Sequence, residues 1–158
     1  RQEKSGGKNG ERKNPPSKEK GEDRQKPTYL DIPNAWEIRR NEWEKYNFDE
    51  KSALKVVDAG EETGYDFYIN MDNIYLQMEI KENIKIDPKL LEARFKFGMI
   101  LLGISLLDFE EKRKKTEKMA RQENDDSSIF EKISQFSRAI SPTLLPMISS
   151  LGDLEIES

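Results

Sequence analysis

The stretch that decides the fold is Tyr65-Asp-Phe-Tyr-Ile-Asn-Met-Asp-Asn-Ile-Tyr-Leu-Gln77. Its first half alternates apolar and polar side chains, as a half-buried β-strand does. It then passes through a polar Asn-Met-Asp-Asn turn into a second apolar run. The stretch therefore predicts a strand, a turn rich in polar side chains, and the start of another element.

A partner strand is predicted just upstream. Residues 52–58 end in β-branched side chains, and a turn bounded by Gly60 and Gly64 follows them. Two short strands joined by such a turn are typical of a β-hairpin. Earlier still, Pro33 biases its neighbour away from the helical conformation. The alternation around Trp36 is compatible with a short edge strand.

Helical signals follow the turn. Residues 74–82 fit either a strand or a helix, and the helix is favoured because an Asp or Asn before them suits an N-cap. Asp87-Pro88 predicts the start of a long helix, since Asp caps well and Pro fits the first helical position. Residues 129–140 predict a further amphipathic helix, and Ser141-Pro142 predicts the start of a last short one.

These elements predict an α+β fold. A small antiparallel hairpin or sheet at about residues 35–70 is expected to pack on a long helix at about 88–118, with one or two C-terminal helices. Residues 1–26 contain no Val, Ile, Leu, Met or aromatic side chain, and such a segment cannot bury enough surface to order itself. The expected organisation is a disordered linker at 1–27, an α+β domain at 28–122, a C-terminal helical segment at 123–151 and an acidic tail at 152–158.

Charge is divided unevenly along the chain. Residues 1–26 carry nine Lys or Arg against five Asp or Glu, about +4, which leaves about −8 on the remainder. This basic leader keeps nucleic-acid association open as an alternative function. Its charges are interleaved, however, and it has no aromatic side chain for base stacking. We therefore expect a solvated linker and no nucleic-acid partner.

Two residue types are missing from the chain. It has no Cys and no His, so disulfides, thiol chemistry and Cys- or His-based metal sites are excluded within it. The absence of His also removes the usual general base near neutral pH. Motifs for phosphate binding or a serine nucleophile are absent as well. The sequence favours a chain without catalytic residues or a cofactor of its own.

The sequence also bears on compartment. The longest apolar run, residues 97–107, is well short of the ~20 residues that a membrane-spanning helix needs. No signal peptide stands at the start, so a cytoplasmic location without a membrane partner is expected. Because the chain begins with Arg1 rather than Met, we interpret it as part of a longer protein.

The polar turn is the candidate metal site. Asn70, Asp72 and Asn73 offer the oxygen ligands that Mg²⁺ or Ca²⁺ takes. The structural interpretation, in which they form the turn and cap the next helix, is favoured. An alternative function is a small metal-dependent enzyme or nuclease that uses Asp66, Asp72 and Glu79.

Aromatic side chains are the other candidates, because they concentrate between residues 36 and 75. On a hairpin they would occupy both faces, and only one face can pack on the long helix. The surplus predicts an interaction surface, since aromatic residues are enriched at interfaces. The candidate interaction residues are Trp36, Trp43, Tyr65, Tyr68 and Tyr75.

Three stretches carry a resemblance to known proteins: residues 48–56, residues 65–76 and residues 90–103. Over about residues 32–108 the chain resembles C-terminal regions of large prokaryotic multidomain proteins, either with histidine-kinase/HSP90-like ATP-binding domains or subtilase-like, some in phage-defence loci. The resemblance implies that any ATPase or protease activity lies upstream of this chain. It carries no active-site residue over to this sequence.

The function expected from the sequence is therefore a non-catalytic accessory domain. It would couple to a catalytic domain upstream in the same polypeptide or to a protein partner.

Overall fold

The computed structural model describes residues 33–60, 64–120 and 128–156, those at 117–120 and 152–156 by backbone only. Within them three strands form one sheet: β1 (Asn34–Ile38), β2 (Leu54–Gly60) and β3 (Gly64–Asn70). The mixed α+β class and the β2–β3 hairpin are confirmed. The linker predicted at residues 1–27 lies outside the described residues.

The sheet differs in one respect from the antiparallel sheet that was expected. β3 lies in the middle, antiparallel to β2 but parallel to β1. The chain leaves β1, reaches the far side of the sheet before β2 begins, and then turns back through the hairpin. Because β2 reverses the direction of β1 and β3 reverses it again, β3 runs parallel to β1.

The described residues contain four α-helices: α1 (Trp43–Tyr46, after a 3-10 turn at Arg40–Glu42), α2 (Ile74–Glu82), α3 (Pro88–Ala120) and α4 (Ile129–Ile156). The helix favoured for residues 74–82 is confirmed. The start predicted for α3 is confirmed too, since Asp87 Oδ1 accepts a hydrogen bond from the Lys89 N–H at 2.9 Å.

One face of the sheet forms the core with the helices. Strand alternation places two side chains of β2 and two of β3 on this face, and the register sets Leu54 beside Ile69 and Val56 beside Phe67. All four are buried. Both long helices pack on them, through Leu91, Phe95 and Met99 of α3 and Ile133 and Leu145 of α4.

Helix α4 is continuous where the sequence predicts a new start at Ser141-Pro142. Pro142 has no N–H for the carbonyl of Arg138, four residues earlier. The Ser141 hydroxyl donates to that carbonyl at 2.9 Å and so satisfies it. A proline inside a helix is tolerated here because a neighbouring side chain supplies the missing donor.

Helix α4 also belongs to the same body as the sheet. Ile133 and Leu145 of α4 belong to the same buried cluster as Leu54 and Phe67 of the sheet. Its backbone remains helical to Ile156. On the outer side of β2, the buried Ser137 hydroxyl of α4 accepts a hydrogen bond from the Leu54 N–H at 3.1 Å.

A second contact between α4 and the sheet region depends on pH. Arg138 holds both carboxylate oxygens of Asp49, at 3.0 and 2.8 Å. Burial alone would raise the pKa of Asp49, but the hydrogen bonds from Arg138 and from the Lys51 and Ser52 N–H groups outweigh it. They lower the pKa to about 2.

We expect this depressed pKa to appear in the acid stability of the protein. A folded-state pKa below the unfolded value adds stability above about pH 4, which is lost as the pH falls toward 2. Because both side chains are about half exposed, the contribution is below about 1 kcal/mol. Urea unfolding from pH 6 to pH 2 should show a shallower acid slope in Asp49→Asn.

Arg138→Gln should lose stability at pH 6 and show a shallower slope as well. Wild-type slopes in both variants would contradict this assignment.

Candidate interaction surface

Asn70, at the end of β3, has a side chain that is fully buried and fully hydrogen-bonded. Its Oδ1 accepts from the Trp43 indole N–H at 2.9 Å and from the Asp72 N–H at 3.1 Å. Its Nδ2 donates to the carbonyls of Asp49 and Ser52, at 3.0 and 2.8 Å. A side-chain amide has two donor hydrogens and two acceptor lone pairs, so every hydrogen-bonding position is used.

Asn73 repeats the arrangement one turn later and is also fully buried. Its Oδ1 caps α2 by accepting from the Tyr75 and Leu76 N–H groups, at 3.0 and 3.3 Å. Its Nδ2 donates to the Lys51 and Ser52 carbonyls, at 3.2 and 3.0 Å. The two amides together tie the turn after β3 to the loop before β2.

These contacts favour the structural interpretation of the turn over the metal site. A cation would have to displace two N–H donors from each amide oxygen. Asp72, the remaining candidate ligand, already accepts from the Arg40 N–H at 2.7 Å and from the Arg39 guanidinium at 3.3 Å. Its carboxylate is thereby held at the start of the 3-10 turn.

The three carboxylates that the alternative metal-dependent enzyme would use lie in different parts of the fold. Asp66 is inside β3, about 13 Å of extended chain before the end of that strand, and accepts from Asn34 at 3.4 Å. Glu79 is on α2 and accepts from Asn83 at 2.6 Å. Among the described residues, no three acidic side chains are grouped so that they could hold a metal ion. The fold therefore gives Asp66, Asp72 and Glu79 no shared site.

An open cleft of about 350 Å³ lies beside the turn. Two cationic and two acidic side chains contribute to its lining, so its formal charges balance. The Arg40 guanidinium lies 5.1 Å from the centre of the Trp43 ring, so this cation lies against the wall of the cleft that Trp43 forms. The lining residues are Arg40, Trp43, Glu50, Asp72, Ile74, Gln77 and Lys81.

The five candidate interaction residues separate into two groups. Trp36 and Tyr68 are register partners on the face of the sheet away from the core, and Trp36 is 54% exposed. Of the other three, Tyr65 is 39% exposed, and Trp43 and Tyr75 are partly buried. Trp43 is bonded to Asn70, Tyr65 lies against Phe130 with ring centres 6.1 Å apart, and Tyr75 lies half-buried on α2.

A third ring, which sequence reasoning did not select, joins Trp36 and Tyr68. Tyr46 of α1 lies over this face, with its ring centre 4.6 Å from that of Tyr68. Tyr46 comes to the sheet through the tertiary fold, which packs α1 over this face. We call Trp36, Tyr46 and Tyr68 the aromatic face.

Positive charge borders the aromatic face. The Lys45 ammonium lies 5.0 Å from the centre of the Tyr46 ring, and Lys55 donates to the Tyr46 carbonyl at 3.1 Å. Burial raises the pKa of the Tyr68 hydroxyl above its ordinary value, and the nearby Asp66 carboxylate adds to the rise. Tyr68 therefore presents a neutral hydroxyl throughout the physiological pH range.

Comparison with known proteins found no matching protein family, no matching curated protein and no matching solved structure. The resemblance to large prokaryotic multidomain proteins stays a prediction. Within the described residues, no helix is long and apolar enough to cross a membrane.

Proposed function

We propose that this chain is a non-catalytic interaction domain that binds an extended segment of a protein partner along the outer edge of β1. The observation that carries the proposal is the open edge of this strand beside the exposed ring of Trp36. In keeping with the sequence, we place the domain in the cytoplasm, as an accessory part of a larger prokaryotic protein. The partner segment belongs to an upstream domain or to another protein.

The direction of the backbone groups identifies which of them are free for a partner. The Ile38 carbonyl accepts from the Met71 N–H at 2.9 Å, so Ile38 points its backbone groups toward β3. Successive residues of a strand point to opposite sides. Ala35 and Glu37 therefore point their N–H and C=O groups outward, and no described residue outside β1 bonds to these backbone groups.

The two edges of the sheet are treated differently. The outer edge of β2 is covered by α4, whose Ser137 hydroxyl bonds to the Leu54 N–H. β1 has no such cover in the described part of the chain. An uncovered edge strand is a template for another strand, and its ladder hydrogen bonds supply affinity without regard to sequence.

Side chains beside the edge would supply the selectivity. A strand added next to β1 would place alternate side chains against Trp36, at the border of the aromatic face. On the other side of the sheet, Glu37 accepts from Lys96 at 2.8 Å, so this border is charged. The proposed ligand is an extended segment with apolar or aromatic side chains on one face and polar ones on the other.

The proposal can be tested with short random peptides displayed on phage and selected on the wild-type domain. Ala35→Pro removes one outward N–H while leaving the ladder to β3 intact. Trp36→Ala removes the exposed ring. Each should weaken the selected peptides by at least about tenfold in fluorescence anisotropy, about 1.4 kcal/mol.

Ala35→Ser is the matched control for the backbone, because it keeps the N–H and changes little volume where Ala35 packs against the core, and it should bind like the wild type. Val57→Ala changes an exposed side chain on the same face at the opposite edge, and it should also bind normally. Circular dichroism would establish that each variant is folded. Selected peptides that bind Ala35→Pro and Trp36→Ala as tightly as the wild type would refute the proposed edge.

A further inference from the structure

A second surface lies on α3, on the side of the helix away from the core. Leu90, Phe97 and Leu101 are 46%, 66% and 67% exposed there. The buried side of the same helix carries Leu91 and Phe95. α3 is thus apolar on two opposite sides, and the described residues bury only one of them.

Phe97 lies seven residues after Leu90, and Leu101 follows four residues later. Such spacing keeps side chains on one narrow stripe of a helix and is typical of helices that pack along each other. The stripe spans about 27 Å at 1.5 Å per residue. We call this set the outer stripe: Leu90, Arg94, Phe97, Leu101 and Asp108, with Ile104 at its border, where that side chain is partly buried against the core.

We infer that the outer stripe binds the outer stripe of a second copy of this chain, with the two α3 helices antiparallel and Leu101 at the twofold axis. In this register Leu101 meets Leu101 of the second copy. One turn away on either side, Phe97 lies beside Ser105 and the exposed part of Ile104 of the second copy. The apolar centre of each stripe is then covered by the apolar centre of the other.

Charge complementarity selects this occupant and this direction. Arg94 and Asp108 lie seven residues before and after Leu101, so antiparallel pairing sets each beside its opposite charge on the second copy. Parallel pairing would set like charges side by side. Asp108 now pairs with Lys112 at 2.6 Å, but both side chains are more than half exposed, and such a pair contributes little.

A surface that is its own complement fits a twofold homodimer, in which the same patch is used by both copies. This inference does not depend on the β1 edge, because it is argued from side chains of α3 alone. It gives the domain a means of bringing two copies of this chain together.

Sedimentation of the whole chain over a range of concentrations tests the inference. The wild type should approach twice the 18.4 kDa of one chain, and Leu101→Glu should stay monomeric. Arg94→Glu and Asp108→Arg should each weaken the dimer at least about tenfold, since each sets like charges together twice. An equimolar mixture of these two variants should recover a dimer, because their charges are complementary.

Direction can be tested by cross-linking, because the chain has no cysteine of its own. Under oxidation Leu101→Cys should form a covalent dimer, whereas Leu90→Cys should not, since antiparallel helices separate the two copies of residue 90. Ala35→Pro is the control for the other surface and should dimerise normally. A monomeric wild type, or a dimer unaffected by Leu101→Glu and Arg94→Glu, would overturn the inference.

Discussion

Asn70→Ala is expected to lower the free energy of unfolding by about 3 to 4 kcal/mol. The substitution removes four hydrogen bonds from a fully buried side chain. The larger part of the loss comes from the groups left behind, because donors and carbonyls buried without partners keep their full desolvation cost. Urea denaturation followed by circular dichroism measures the change.

Two further variants test whether the loss of stability comes from the hydrogen bonds of the Asn70 amide. Asn70→Asp keeps the acceptors for Trp43 and Asp72 but loses both donors and adds a buried charge, so it should be at least as destabilising as alanine. Asn34→Ala is the matched control, because its side chain makes one exposed hydrogen bond of 3.4 Å, and it should cost no more than about 0.5 kcal/mol. An Asn70→Ala variant within 1 kcal/mol of the wild type would mean that the turn does not depend on this amide.

Gly103→Ala is the second large expected loss, about 1 to 3 kcal/mol net of the gain in helix propensity. A Cβ at this position would lie 2.5 Å from Phe67 Cε2 and 3.2 Å from Leu54 Cδ2. Phe67 is completely buried, so its ring cannot move aside without disturbing the core. The close approach of α3 to the sheet therefore requires a residue without a side chain.

Gly98→Ala is the matched control on the same helix. Its Cβ would lie 2.6 Å from the Cδ2 atom of Leu144, the end of a flexible and half-buried side chain. Rotation of Leu144 relieves that contact, and alanine gains about 1 kcal/mol of helix propensity. We expect Gly98→Ala to remain within about 1 kcal/mol of the wild type. Thermal unfolding of both variants tests the difference, and equal losses would refute it.

Local signals predicted much of this structure because their causes are local. The alternation at residues 65–69, the two glycines of the hairpin and the cap at Asp87 each act within a few residues. The helix at residues 74–82 could also be predicted, since its cap, Asn73, stands next to it in the sequence. The same signals misplace the start of a new helix at Pro142, because the Ser141 hydroxyl replaces the lost donor in space.

The candidate surfaces could be predicted only in part from the sequence. Its aromatic composition selected Trp36 and Tyr68, which the register of two strands sets side by side. Tyr46 was missed, because its place over the sheet follows from how α1 packs. The outer stripe of α3 was missed too. Apolar residues at helical spacing predict burial, and only the packed structure shows which side of the helix is left uncovered.

The sequence by itself determined the α+β class, the hairpin, the starts of α2, α3 and α4 and the exclusion of His and Cys chemistry, because these depend on residue type and short-range spacing. Only the tertiary structure decided what the polar turn does. The buried amides of Asn70 and Asn73 find their partners about 20 residues away, in the loop before β2. It also decided that the described residues leave the outer edge of β1 uncovered while α4 covers that of β2, since long-range packing determines which backbone groups and apolar side chains remain exposed.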